Sequence, residues 1–234
     1  MVLSTEHPPV VAEDRPAAAG RPLRTVLLAV LCLAALMLAG GLGYVAGHRS
    51  GSATPGAGSV DAGFAWDMSA HHRQAVTMAG YVRDHSTDGV VRTLAYDIET
   101  SQFNQVGQMQ GWLDAWGLPP ENPGTQMSWM SGSMPGMSMP GMSMSNGLMP
   151  GMATQAEVDK LQTMTGKAMD VYFLQLMLRH HQGGLPMAQY GAEHATQSYV
   201  RNAAQKMATG QGAEIVLMEQ LLRERGASPL PPPA

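Results

Sequence analysis

The sequence predicts an all-α protein: a four-helix bundle made of two duplicated helical hairpins, preceded by an N-terminal transmembrane helix. Three observations support this prediction. Residues 67–117 return as residues 176–226 at a constant shift of 109 positions, without a gap. Both copies carry apolar residues at helical spacing, and an uncharged apolar run lies near the N-terminus. Two such hairpins can bury one shared core.

Composition narrows the function. The 234-residue chain has a formal charge of -4 and no basic run, so we expect no nucleic-acid partner. Cys32 is the only cysteine, which excludes an intrachain disulfide and any Cys-based zinc or haem-attachment motif. The 20 methionines are several times ordinary usage and require an explanation.

The N-terminal part predicts a membrane protein. Residues 1–24 are polar and form the expected cytoplasmic tail, whereas Thr25–Ala46 contains no charged residue. Twenty-odd apolar residues at ~1.5 Å each span a ~30 Å hydrocarbon layer, and the apolar core of a cleavable signal is only about 7–15 residues long. We therefore expect an uncleaved membrane anchor, with secretion after signal cleavage as the alternative. Arginine is concentrated before the run, which places the remainder of the chain outside the cytoplasm.

Residues 47–60 read as a flexible linker, and residues 61–226 as the bundle domain. The first helix is predicted to end near His85, with Thr87 or Asp88 as the cap of the second. The second helix is predicted to end near Trp116, before Gly117.

Residues 120–153 form the predicted loop between the repeats. Within it, Met127–Met152 consists almost entirely of Met, Gly, Ser and Pro, a composition that cannot hold a helix or a strand ladder. A capping box at 154–157 opens a third helix, which is predicted to run towards His194 with an interruption or kink near residues 183–186. The fourth helix follows from about Gln197 to Arg225, and the tail, residues 227–234, is predicted to be disordered.

The repeated segment contains the candidate metal ligands. Residues seven apart share one face of a helix, so each copy presents a His-Met-His stripe, together with a His-His pair and a methionine one turn before it. Ligands one heptad apart are ~10 Å apart, so a metal site needs donors one turn apart or a facing helix. The candidate ligands are Met68, His71, His72, Met78 and His85 in the first copy and Met177, His180, His181, Met187 and His194 in the second.

The donor types favour copper. Imidazole suits copper, zinc, iron and nickel, whereas thioether selects Cu(I). The central loop adds further candidate thioethers: Met137, Met139, Met142 and Met144. Other interpretations stay open, because Met78 and Met187 fit a core role and the loop fits a plain linker. His85 and His194 each follow an acid and fit a role at the C-terminal end of a helix.

The pattern Met-x-x-His-His-x-x-x-x-x-Met-Ala, at 68–79 and 177–188, resembles the domain-of-unknown-function family 305. A later Met-x-x-(Trp/Leu)-Leu, at 109–113 and 218–222, extends the resemblance, which covers residues 61–226. It implies a ferritin-like helical bundle, exported, in a family associated with copper binding and copper tolerance. Carried over position by position, it implies a role for the two His-His pairs and for Met68, Met78, Met177 and Met187. Gly183, Gly184 and Pro186 in the second copy depart from the pattern.

These observations predict a membrane-anchored extracytoplasmic protein that sequesters, buffers or delivers copper, with Cu(I) favoured and no catalytic activity. A copper-handling envelope protein is the expected partner, and self-association stays open. A di-iron oxidase is disfavoured because the chain contains no Glu-x-x-His pair. The remaining alternative is a metal-free helical interaction module, in which the histidines only support the bundle.

Overall fold

The computed structural model describes residues 21–49, 53–130 and 147–231, and the chain divides into two compact units, residues 1–51 and 52–234. The first unit contains α1 (Arg21–Arg49), where the apolar side chains that the structure describes are exposed, with Leu36 at 71%. Among the residues that the structure describes, no helix combines the length and apolarity needed to cross a membrane. The membrane-spanning assignment of Thr25–Ala46 therefore stays a prediction.

The second unit is helical and, in its described residues, contains no β-strand. Two helical hairpins pack together through α2 and α5, as the duplication predicts. The first hairpin pairs α2 with α3 and the second pairs α5 with α6. The helices are α2 (Val60–His85), α3 (Gly89–Ala115), α4 (Gln155–Thr163), α5 (Gly166–His194) and α6 (Ser198–Glu224), with a single 3-10 turn at Ser128–Met130.

Local sequence signals explain where these helices begin and end. The Asp88 carboxylate accepts hydrogen bonds from the backbone N–H groups of Val90 and Val91 and so caps α3. The predicted capping box closes in both directions between Thr154 and Glu157. A side-chain cap of this kind stabilises a helix by about 1 kcal/mol.

The predicted third helix is wrong in two respects. It is two helices, because Met164 and Thr165 are extended and Gly166 has a positive φ of 58°. The expected interruption near residues 183–186 does not occur, and α5 continues through Pro186. The reason is tertiary packing, which overrides local propensity: a side chain on Gly183 would collide with the Pro150 carbonyl, so that glycine serves close packing of the loop on the helix.

Two apolar clusters fill the bundle. One contains residues 75–82 of α2 and 169–178 of α5, and the other contains residues 62–68 of α2 and 187–188 of α5. The two His-His pairs occupy the helix positions between these clusters. The middle of the bundle is therefore polar, with an apolar core on either side.

Both described ends of the Met-rich segment pack on the bundle, which the prediction of an unstructured loop missed. At its start, the buried Asp67 carboxylate accepts hydrogen bonds from the Met127 backbone N–H (2.6 Å) and Trp129 Nε1 (2.8 Å). At its end, the Gln74 amide pairs with both backbone groups of Ala153, at 2.7 and 2.8 Å. The physical reason is that these are long-range contacts, which local composition does not encode.

The described part of the C-terminal tail, residues 227–231, has no regular secondary structure and contacts the bundle. The Gln175 side chain donates to the Ser228 carbonyl at 2.6 Å. Ala227 and Leu230 pack against the apolar cluster that contains Met78. Burial of these apolar residues holds the tail on α5.

Candidate metal centre

The four histidines of the two His-His pairs meet in the interior of the bundle. His71 and His72 on α2 are fully buried, as is His181 on α5, and His180 is 1% exposed. The rings of His71 and His180 have centroids 3.8 Å apart, and those of His180 and His181 are 6.2 Å apart. The facing helix that a metal site requires is thus supplied by the second copy of the repeat.

Three of these rings are oriented by an oxygen acceptor at Nε2. His71 Nε2 lies 3.0 Å from the Pro150 carbonyl, and His181 Nε2 lies 2.7 Å from Glu214 Oε2. His72 Nε2 lies 2.7 Å from Gln105 Oε1. A carbonyl, amide or carboxylate oxygen can only accept, so each Nε2 donates, and in a neutral ring this leaves a free lone pair on Nδ1.

These free lone pairs have no partner in the protein. The Nδ1 atoms of His71, His72 and His181 and the Nε2 atom of His180 are all buried and form no hydrogen bond. A buried polar atom without a partner costs about 1–3 kcal/mol. Buried nitrogens that carry an unpaired lone pair are candidate ligands for an electrophile such as a metal ion.

Burial also keeps the imidazoles in the form that binds metals. Loss of solvation is the largest effect at each ring, and it lowers the pKa of His71 to about 4 and the pKa of His72 to about 3. The pKa of His180 is lowered well below its usual value of 6.5, again mainly by burial and then by the neighbouring His71. These rings are neutral at physiological pH, as metal coordination requires.

Two of the residues that accept a hydrogen bond from a histidine Nε2 occupy equivalent positions of the two repeats. Gln105 and Glu214 are separated by the same 109 positions as the histidines that they hold. Metal-bound histidines usually donate their second N–H to such an acceptor. Sequence reasoning did not identify this pair, although the repeat register contained the signal, because the two residues differ in type.

Two buried glutamines were also not singled out by the sequence. Gln102 and Gln211 are 3% and 5% exposed, and the Oε1 atom of each has no hydrogen-bond partner. They occupy equivalent positions of the two repeats. Their register was visible in the sequence, but glutamine is not a residue that a search for soft-metal ligands selects.

The predicted methionine ligands lie in the apolar clusters. Met68 and Met187 share one cluster, and Met78 and Met177 share the other; all four are fully buried. This is the core role that the sequence left open for two of them. Coordination by their thioethers stays a prediction.

The spacing of the histidine nitrogens decides whether they can bind one metal ion together. Throughout residues 21–49, 53–130 and 147–231, no three His, Cys, Asp or Glu side chains are placed to hold one ion together. The rings of His71 and His180 face each other at an interplanar angle of 38°. The donor set of unprotonated imidazole nitrogens fits copper, and its geometry requires donors of another type or rotation of a ring.

His85 and His194 lie outside this centre. Each follows its His-His pair by more than three turns, and His85 is about 21 Å along α2 from His71. Their rings stack on Tyr81 and Tyr190, with centroids 4.1 Å apart in both cases. Each Nδ1 bonds the carbonyl of that tyrosine, at 2.7 and 3.2 Å. These contacts match the helix-end role that the sequence left open.

The remaining candidates, Met137, Met139, Met142 and Met144, lie outside the described residues.

The chain is similar to a protein-family model and to several solved structures. The profile of the domain of unknown function DUF305 matches residues 61–222. No curated protein matches the chain. A candidate secreted DUF305 protein from Streptomyces coelicolor has a crystal structure with 47% identity and a TM-score of 0.67, covering 75% of this chain and 99% of that one.

Two further solved structures are similar. A DUF305 fragment from Deinococcus radiodurans has 32% identity and a TM-score of 0.55, covering 70% of this chain and 96% of that one. CopM in its Cu(II)-bound form has 23% identity and a TM-score of 0.51, covering 71% of this chain and 97% of that one. The likeness to CopM shows a shared fold.

Proposed function

This chain belongs to the DUF305 family, and on that premise we propose that it binds copper inside its helical bundle, outside the cytoplasm, as a binding protein and not as an enzyme. The residues proposed to bind the metal are His71, His72, His180 and His181. The observation that carries the proposal is the set of four buried imidazole nitrogens without a partner. A bound metal ion would give such a nitrogen the partner that it lacks, once a ring rotates or a donor of another type completes the site.

The chemistry of the donors supports copper over other metals. Imidazole alone also suits zinc, but the same bundle and its central loop are unusually rich in thioether, which selects Cu(I). CopM has been solved with Cu(II) bound, and because that likeness concerns the fold alone, the proposal depends on the donors of this chain.

Burial of the site favours sequestration or buffering over rapid relay. Donors that are 0–1% exposed exchange a metal only when part of the bundle opens. Delivery to a copper-handling envelope protein would then require that partner to open the bundle, and a relay role would be supported by fast transfer to such an acceptor.

We propose export directed by Thr25–Ala46, either as an uncleaved anchor or as a cleaved signal. The candidate secreted relative supports export and fits cleavage. Fractionation of cells that express the full chain, with N-terminal sequencing, separates the two routes. An intact N-terminus in the membrane fraction supports an anchor, a shortened chain in the medium supports secretion, and retention in the cytoplasm contradicts both.

The test of copper binding is a competition titration of the full-length chain with Cu(I) under reducing conditions, with Cu(II) and Zn²⁺ in parallel. One variant carries leucine at all four buried histidines, and far-UV circular dichroism checks its fold. The control variant is His85→Ala with His194→Ala. A third variant replaces Met137, Met139, Met142 and Met144 by leucine.

We expect tight copper binding that the leucine variant loses and the control keeps. Unchanged binding without the four histidines would overturn the assignment, and its loss in the methionine variant would assign the copper to the loop. Wild-type binding no tighter than that of a free methionine-rich peptide would favour the metal-free interaction module. That alternative is supported by the absence, among the described residues, of three closely placed ligands.

A further inference from the structure

A short irregular segment at the end of the Met-rich run packs against the buried histidines. It consists of residues 149–153 and is termed the strap. Met149 is 2% exposed and Ala153 is 1% exposed, and the two residues that follow Met149 are buried as well. Connecting segments usually run over the surface of a protein. The burial of the strap therefore indicates that it is packed as part of the interior.

The strap contacts the backbone of α5 at the second His-His pair. A side chain on Gly151 would collide with the carbonyl oxygen of Arg179 and would lie 3.0 Å from that of His180. A side chain on Gly183 would in turn collide with the Pro150 carbonyl. Gly151 also has a φ of 79°, which side chains rarely allow. The two glycines thus let the strap and the helix touch backbone to backbone.

The strap is also bonded to α2 beside the first His-His pair. His71 Nε2 donates to the Pro150 carbonyl at 3.0 Å, and the Gln74 amide pairs with both backbone groups of Ala153, at 2.7 and 2.8 Å. Residues three apart lie on the same side of a helix, so both bonds come from one side of α2. The strap therefore bridges α2 and α5 at the level of the four histidines.

Resting on the proposed copper function, we propose that the strap is the part of the fold that opens to admit copper to the buried histidines and to release it. The four histidines are 0–1% exposed, so an ion reaches them only when part of the domain moves. Gln105 and Glu214, which border the centre elsewhere, lie on α3 and α6, and these helices pair with α2 and α5. Displacing an irregular segment costs less free energy than separating paired helices.

The same movement frees the ring of His71. When the Pro150 carbonyl withdraws, Nε2 loses the acceptor that orients the ring. In the closed arrangement, the histidines share an ion only after a ring rotates or another donor joins them. Opening of the strap therefore supplies the path for the ion and the freedom for that rotation.

Two substitutions loosen the strap by different means. Gln74→Leu removes the pair of bonds from α2, and Gly151→Ala forces the strap away from α5. Gln175→Leu is the control for the first, because it removes a bond from a glutamine to the Ser228 carbonyl in the C-terminal tail. Gly147→Ala is the control for the second, because its φ of 78° gives the same backbone strain with open space around it. Far-UV circular dichroism and melting curves establish that each variant is folded.

The first measurement uses the metal-free, full-length chain and needs no copper. Diethyl pyrocarbonate modifies accessible histidines, and peptide mass spectrometry gives the rate at each one. We expect His71 and His180 to react about tenfold faster in both strap variants than in wild type, as the loss of one or two hydrogen bonds implies. Both controls keep the wild-type rates, and the exposed His85 and His194 react alike in every protein. Unchanged rates in both strap variants, or equal increases in the controls, would overturn the inference and leave the proposed function standing.

The second measurement follows Cu(I) uptake by stopped flow under reducing conditions and Cu(I) release to a chelator. We expect both rates to rise about tenfold in the strap variants, with a much smaller change in Kd, because opening speeds entry and exit alike. Faster modification with unchanged copper rates would overturn the strap as the route and would place entry beside Gln105 and Glu214. A wild-type chain that binds no copper would overturn the proposed function, and the role of the strap in copper exchange with it.

Discussion

The imidazole rings of His71 and His180 lie 3.8 Å apart at the centre of the bundle, although 109 positions separate the two residues. The contact joins α2 to α5 and so joins the two copies of the repeat. It also places two neutral rings with free nitrogens in an interior that is otherwise largely apolar. Buried polar atoms without a partner lower the stability of the fold, and this cost can be measured.

His180→Leu removes a buried nitrogen without a partner and keeps a side chain of similar size. We expect the free energy of unfolding of the metal-free protein to rise by about 1 kcal/mol, since the unsatisfied atom is lost. The same substitution should weaken copper binding. Urea denaturation with and without copper tests both effects. A variant that is destabilised by more than about 2 kcal/mol would show that the ring is needed for packing.

Copper should stabilise the wild-type bundle by mass action. At a free concentration 100 times Kd, a ligand that binds only the folded state adds about 2.7 kcal/mol. For a domain of this size we expect a rise in Tm of about 2–4 °C per kcal/mol. Calorimetry before and after a copper chelator measures the rise and its reversal. A rise of equal size in the four-leucine variant would contradict binding at the histidines.

Asp67→Ala should destabilise the bundle by about 2–5 kcal/mol, because charge-assisted bonds contribute about 1.5–3 kcal/mol each and their donors would lose a buried acceptor. Trp129 donates to this carboxylate, so its fluorescence should report a more polar environment. The control is Asp97→Ala on the exposed side of α3, expected within about 0.5 kcal/mol of wild type. Equal effects of the two substitutions would contradict the role of Asp67.

Two glycine substitutions should change the free energy of unfolding in opposite directions. Gly63→Ala places a methyl group against the Trp129 side chain and should cost about 1–3 kcal/mol through overpacking. Gly107→Ala, also inside a helix but with open space around it, should stabilise by up to about 1 kcal/mol. Chemical denaturation measures both. A stabilising Gly63→Ala would show that the 3-10 turn carrying Trp129 moves aside at little cost.

Asp170→Asn should stabilise the protein at neutral pH. Asp170 occupies the repeat position of Asp61, whose carboxylate accepts three hydrogen bonds from Thr196 and Gln197. Asp170 is buried with one oxygen unpartnered. Burial is the largest effect on it and raises its pKa above the usual 3.8, and the neighbouring Asp88 raises the pKa further.

The sign of the pH dependence follows from that shift. A raised pKa in the folded state means that the contribution of Asp170 to stability is complete below about pH 4 and is lost as the pH rises through the folded pKa. The neutral asparagine keeps this contribution, so the Tm of the variant should exceed that of wild type at pH 7 and converge with it below pH 4. Lys167, Glu224 and Arg225 line a surface pocket together with Asp170, and these three residues are the same in both proteins. A constant difference across this range would contradict the prediction.

Structural features that depend on local periodicity could be predicted from the sequence. Apolar spacing, Asp88 as a cap and the capping box predicted helices whose ends agree with α2, α3 and α6 and with the start of α4, whereas the predicted third helix divides into α4 and α5. The fixed shift places the two His-His pairs at equivalent positions of the two repeats, and the structure brings His71 and His180 together. These features repeat or lie within a turn of their partners, so a single chain reveals them.

Contacts between distant residues were not predictable in this way. The bond from His71 to the Pro150 carbonyl spans 79 positions, and nothing in the local composition of the loop indicates it. The same holds for the close approach of Pro150 to Gly183, which leaves no room for a side chain at this position of α5. The role of such residues depends on their contacts in the folded protein and is not visible in the sequence.

The bonds of Asp67 to Met127 and Trp129, and of Gln74 to Ala153, fasten both flanks of the methionine-rich insert to α2. An insert with fastened flanks can change in length with little effect on the registration of the helices, since doubling the length of a loop costs only about 0.6 kcal/mol. Relatives, or redesigned versions, can therefore lengthen or shorten the insert and alter its thioether content while the helical frame stays the same. The number of thioethers in such a chain is adjustable separately from foldability.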